Sequence, residues 1–244
     1  DWYRSRGLGD VYKRQTLDGA VNKTAIMLAI LISTAAISWN FPSPFIVMLS
    51  YIGIFAAAIA SVVTFGFWMP FIGFIINPRP YLAPKTWLVF AFGEGFFIGL
   101  ISLSFETMFP GIVLEAVSLT FCVAATLLFL YKSGIVKPSQ NFVLMVCSAV
   151  FGIFLFYIGT LIYSLVTGVS PEIFSGSSNA SIGLSLFIVA MAAFSLVLDF
   201  DIIEQSAEYG SPKYMEYFGA MALVTTLIWL YIEILRLLAK FRSR

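Results

Sequence analysis

Five carboxylic side chains lie in or against long apolar runs of this chain, and they are the residues best placed to do chemistry. Asp199 and Asp201 close a run that opens near Ser181, and Glu233 sits inside the next, Gly219 to Ala239. Glu94 and Glu115 occupy two earlier runs. A carboxylate at the centre of a membrane helix costs about 3 kcal/mol on insertion scales, so it is tied to a partner or to a pathway. The chemistry open to such groups is proton exchange and the coordination of a cation. Histidine is absent, which removes the commonest metal ligand and acid–base group and argues against a zinc hydrolase or a Ser-His-Asp enzyme. Oxygen donors alone favour a hard cation such as Ca²⁺ over a transition metal. No serine–base or paired-aspartate motif stands out, so the chain reads as a non-enzyme, with no cofactor beyond a transient Ca²⁺.

Each acid also has a structural reading. Glu94 falls within Gly93-x-Gly95-x3-Gly99, whose small residues let helices approach closely, and its carboxyl then caps neighbouring backbone. Glu233 and Arg236 are three apart and able to neutralise each other. Asp199 has no nearby basic residue in sequence. Asp201 and Glu204 lie nearer the aqueous end, while Glu106, Glu172, Glu208 and Glu216 read as loop or interfacial charges. Thr225 and Thr226 either line a path or bond their own helix backbone.

The elements that must position these residues follow from composition. The 244 residues are 60% hydrophobic and 11% charged, against roughly a quarter charged in an average soluble domain. Mean hydropathy is +0.94. This is a membrane protein, with the lipid bilayer as its solvent, and its net charge of +1 gives no reason to expect nucleic acid. Cys122 and Cys147 lack CxxC spacing and read as small buried hydrophobes.

A bilayer core about 30 Å thick needs about 20 apolar residues at about 1.5 Å rise each. Seven segments qualify: 24–40, 45–68, 86–108, 111–131, 142–167, 181–202 and 216–239. Beyond the second, apolar character persists to Ile76 through Gly66 and Pro70, which fits a kinked helix or a short re-entrant piece. The fold class is therefore all-α, a polytopic membrane helical bundle forming one domain over residues 16–244. Residues 1–15 are set apart. Asp10-Val11-Tyr12-Lys13-Arg14-Gln15 resembles the translation of a sequencing-library adaptor, so the native chain is expected to begin near Thr16.

Lys23, Arg79, Lys85, Lys132, Lys137 and Lys213 fall on one side of a seven-span arrangement, which the positive-inside rule makes cytoplasmic, together with the native N-terminus. Arg236, Lys240, Arg242 and Arg244 then stand at the outer face. Either the parity is off by one, near Gly66 to Ile76, or the short tail tolerates its charge.

Three blocks carry a family resemblance: Gly93-Glu94-Gly95-Phe96-Phe97-Ile98-Gly99, Pro110-Gly111-Ile112-Val113-Leu114, and a closing set. The closing set is Leu198-Asp199-Phe200-Asp201-Ile202-Ile203-Glu204, Pro212-Lys213-Tyr214-Met215-Glu216 and Trp229-Leu230-Tyr231-Ile232-Glu233-Ile234-Leu235-Arg236. In these the chain resembles bacterial members of the Bax inhibitor-like (transmembrane Bax inhibitor motif) family. The resemblance implies seven helices with the last one central, a place in the bacterial inner membrane, and a pH-sensitive calcium leak governed by acids on the last two spans. Asp199 then resembles the sixth-span acid and Glu233 the seventh-span one. Some bacterial relatives are described instead as binding and restraining a membrane-anchored protease, the alternative function and partner for this chain.

Two close carboxyls in low dielectric share a proton, which gives such a pair its pH sense. Spacing opposes the direct pairing here. With the turn at Gly210 to Pro212, Asp199 is about 16 Å up the sixth helix and Glu233 about 32 Å along the seventh. A straight hairpin sets Asp199 opposite Leu223 to Thr225. Depth suggests two acidic levels instead: Glu94, about 14 Å in from Lys85, near the level of Asp199, with Glu115 and Glu233 in the outer half.

Overall fold

Lipid offers no hydrogen-bond partners, so a crossing segment satisfies its backbone internally, as an α-helix does. A computed structural model describes residues 14–65 and 79–244. It contains seven helices long and apolar enough to span: α1 (Leu17–Asn40), α2 (Pro44–Phe65), α3 (Ala83–Met108), α4 (Ile112–Lys132), α5 (Gln140–Thr167), α6 (Asn179–Glu208) and α7 (Tyr214–Arg242). A 3-10 turn, Pro80–Leu82, leads into α3, and a single helical turn, Glu172–Ser175, lies between α5 and α6. No strand forms among the described residues, so the all-α, polytopic class expected from composition is what is found. The segment 66–77, expected to be kinked or re-entrant, lies outside the described residues, as do residues 1–13 of the adaptor-like start.

Helix ends extend past the apolar runs because capping, not hydropathy, terminates a helix. Thr16 accepts from the Gly19 amide at 3.0 Å and starts α1 seven residues before the expected 24. Ser43 accepts from Ile46 at 3.3 Å with Pro44 in the first position of α2, where its missing N–H costs nothing. Ser139 does the same for α5 through Phe142, at 3.2 Å. Between α3 and α4, Gly111 adopts φ 83°, and Glu106 accepts from the Gly111 and Val113 amides at 2.5 and 3.1 Å. Helix α6 runs to Glu208, just before Gly210 at φ 65°, and α7 runs to Arg242 with the basic Lys240 and Arg242 in its last turn, where they complement the helix dipole.

The chain forms two compact units, Asp1–Ser104 with Asp201–Val224, and Phe105–Phe200 with Thr225–Arg244. In the first, small residues bring backbones into contact. A Cβ added at Gly93 would meet the carbonyl oxygen of Gly53 on α2. One at Gly95 would meet Thr34 Oγ1 and the Leu31 carbonyl of α1, and one at Gly99 would meet Ser38 and Ala35. The hydroxyls buried in this seam turn back on their own helices, Thr34 to Ile30 and Leu31 and Ser38 to Ala35. Ser50 also reaches across to the Phe96 carbonyl at 3.2 Å, and Thr64 meets Thr86 at 2.7 Å.

At one end of this unit the start of α1 meets the start of α7. The Gln15 amide donates to the Ser211 carbonyl at 2.7 Å. Glu216, 2% exposed, accepts from the Thr16 amide and hydroxyl, both at 3.1 Å, and Lys23 stands 3.8 Å from it. In the second unit, the end of α7 meets the start of α4. Arg242 donates to the Pro110 carbonyl and to Glu115, each at 2.7 Å, and Arg244 bonds Asn179 at the start of α6. Within the second unit, then, the charge of Arg242 and Arg244 is met by local acceptors. Helix α7 is the most enclosed of the spans: half of its apolar window is buried, against 11% for α5.

Replacing Gly95 with valine is expected to destabilise the protein by about 2 kcal/mol, the cost of overpacking, whereas Gly152→Ala, with open space at its Cβ, leaves stability unchanged. Thermal unfolding in detergent checks both.

Candidate functional site

The buried polar centre of the second unit is built on α7. Glu233, Arg236 and Lys240 are three and four residues apart and so share one helical face. The carboxyl of Glu233, a residue only 1% exposed, accepts from the Tyr157 hydroxyl of α5 at 2.5 Å. Arg236 donates through Nη1 to both carboxylate oxygens, at 2.9 and 3.1 Å, and lies 3.2 Å from the same hydroxyl. The guanidinium stacks 4.6 Å from the Phe174 ring centroid and 5.8 Å from that of Tyr157, a contact that holds its plane in place. Three hydrogen bonds from two side chains thus converge on one carboxylate, which leaves Glu233 a charge already matched.

Lys240 departs from its expected place in an outward tail. It is 5% exposed, and its ammonium donates to Ser185 Oγ at 2.8 Å and the Ser181 carbonyl at 3.3 Å. Its long stem lies along apolar surface while the head finds oxygen at the start of α6.

Asp199 stands apart from this cluster. Thr226 of α7 donates to its carboxyl, one residue beyond the Leu223 to Thr225 register given by a straight hairpin. Its other oxygen, Oδ2, is shielded and has no hydrogen-bond partner among the described residues. Thr226 and Glu233 are seven residues apart, roughly 10 Å along the helix, and no hydrogen bond joins Asp199 to Glu233 among the described residues.

The remaining acids differ in setting. Glu115 is exposed in the first turn of α4 and paired with Arg242. Asp201, in the first unit, accepts from Gln205 one turn on at 2.6 Å. Glu94, also in the first unit, is partly buried between Gly93 and Gly95, and it makes no ion pair among the described residues. No group of three or more Cys, Asp or Glu side chains converges as a metal-ligand set among the described residues.

Three contributors had no clear sequence signal. Tyr157 is one aromatic among many in an aromatic-rich helix. Lys240 reads as tail charge, and Glu216 as an interfacial one although it is buried. Only its position in the first turn of α7, where an acid complements the helix dipole, hinted at a fixed role for Glu216.

Seven helices long and apolar enough to span define a multi-pass helical membrane protein. The Bax inhibitor 1 like family model matches residues 4–243, essentially the whole chain, and the chain belongs to that family. No curated protein and no solved structure matches it.

Arg236→Ala strands Glu233 as a buried charge, and the expected loss is about 3 kcal/mol, the low end for a broken buried pair because the guanidinium is itself 26% exposed. The double change Glu233→Gln with Arg236→Gln should recover much of that loss. Unfolding temperatures of the single and double variants decide it; equal losses would show that the ion pair is not what is being broken.

Proposed function

We propose that the chain is a pH-sensitive cation leak of the bacterial inner membrane, with its N-terminus cytoplasmic, in which Asp199 exchanges a proton for a hard cation such as Ca²⁺. One observation carries the reading. Asp199 is the intramembrane acid of the second unit with a carboxylate oxygen left unmatched, whereas Glu233 is held by three hydrogen bonds from Tyr157 and Arg236. An acid on a span with spare oxygen can take up either a proton or a metal ion. The resemblance to leak-forming relatives points the same way but relies on a pair of acids. Here the work falls to Asp199 with Thr226, and Glu233 anchors α7. The cytoplasmic N-terminus is supported by Lys23, Arg79, Lys85, Lys132, Lys137 and Lys213, which fall on one side of a seven-span arrangement.

In liposomes loaded with a calcium dye, the protein is expected to pass Ca²⁺ with a rate that changes across roughly pH 5 to 8, as proton and cation compete for one carboxylate. Asp199→Asn carries no titratable proton, so its flux should hold one value across that window. Glu233→Gln keeps the Tyr157 hydrogen bond and should retain the pH response. Flux no greater than in empty liposomes contradicts the leak. If that result came with a protease co-purifying with both the parent and Asp199→Asn, it would favour the regulatory binding role instead.

A further inference from the structure

Beside Arg236 a cavity of about 310 Å³ is lined by Tyr157, Thr160, Leu161, Ser164, Ser170 and Phe174, among others. It lies wholly within the second unit. Arg236 uses only Nη1 on Glu233 and Tyr157, so Nε and Nη2 are left without a described partner while the residue lines the cavity. Ser164 and Ser170 add hydroxyls beside them. Among the residues that line the cavity, Arg236 carries the charge. A planar guanidinium fixed by stacking, with two N–H edges free and hydroxyls near it, is suited to a tetrahedral oxyanion.

The surroundings say what bears that oxyanion. Ile158, Leu161, Ile162 and Leu165 of α5 form an exposed apolar stripe, Leu161 at 59% and Leu165 at 77%, and Leu161 belongs to both stripe and cavity. Ser164 is three residues from the end of α5, about 5 Å along the helix, which is headgroup rather than mid-bilayer depth. The volume is at the small end for a ligand site, with room for a headgroup but not for a whole lipid.

We propose that this cavity binds the phosphate of an anionic phospholipid, which Arg236, Ser164 and Ser170 hold while an acyl chain follows the Leu161–Leu165 face of α5. The site is independent of any cation path through Asp199. It places a lipid contact on the ion pair that anchors α7.

Native mass spectrometry of the full-length chain, released from detergent and titrated with dioleoyl phosphatidylglycerol, tests the site. One lipid should be retained, and dioleoyl phosphatidylcholine, with the same chains but no net charge, should be held about tenfold more weakly. Ser164→Phe fills the cavity while leaving the Glu233–Arg236 pair in place, and should weaken phosphatidylglycerol retention about tenfold or more. The double change of Glu233 and Arg236 to glutamine should do the same. Arg242→Gln, a cation outside the cavity, should have no effect. Parental retention by Ser164→Phe, equal retention of the two lipids, or displacement of the lipid by inorganic phosphate would each overturn the proposal. Should the double variant not fold, Ser164→Phe decides alone.

Discussion

A charged side chain in hydrocarbon must be matched within reach of its own helix or its immediate neighbours, and α7 meets that demand along one face. Glu233, Arg236 and Lys240 follow one another at helical spacing. The first two satisfy each other with the help of Tyr157, and the third is satisfied by Ser181 and Ser185. Removing both partners of such a set costs little, whereas removing one leaves the other uncompensated in low dielectric. That asymmetry ties α7 to both α5 and α6 inside the second unit. It also allows a helix that carries charges along one face to be the most enclosed of the spans.

The first unit solves a different problem with different means. Its helices carry few charges at depth, and no hydrophobic gain is available between surfaces already in lipid, so association rests on close packing. Gly93, Gly95 and Gly99 bring α3 against the backbones of α1 and α2. Most buried hydroxyls bond the preceding turn of their own helices, while Ser50 also bridges to Phe96 and Thr64 meets Thr86. Ionic matching is confined to the end of the unit, where Glu216 accepts from Thr16 and faces Lys23. Glu94 lies within this seam, its neighbours on either side being the glycines that make the contact.

Much of this architecture is legible in residue order alone, because the length and apolarity of each span are imposed by the bilayer and need no tertiary information. The seven helices fall where the apolar runs fall, and their ends differ by a few residues because Thr16, Ser43 and Ser139 act as caps. The antiparallel register of α6 and α7 is equally readable. With the turn at Gly210, Asp199 was expected opposite Leu223 to Thr225 and bonds Thr226. The Glu233–Arg236 pair could be read from its spacing, but Tyr157 could not, since nothing local distinguishes it from other aromatic residues of α5. Lys240 and Glu216 were misplaced for a related reason. A charge near a helix end looks solvated until the neighbouring element that covers it is known, and those neighbours are 55 to 59 and 200 residues away in sequence.

The intramembrane acids of the second unit thus divide by what surrounds each carboxylate. Glu233 is matched, and Asp199 keeps an oxygen without a partner. The account stands on that division, and infrared difference spectroscopy of the reconstituted protein across a pH step reads it most directly, through the C=O stretch of a protonated carboxyl. The account predicts a band that disappears in Asp199→Asn and persists in Glu233→Gln. A band that persists in the first variant and disappears in the second would contradict it.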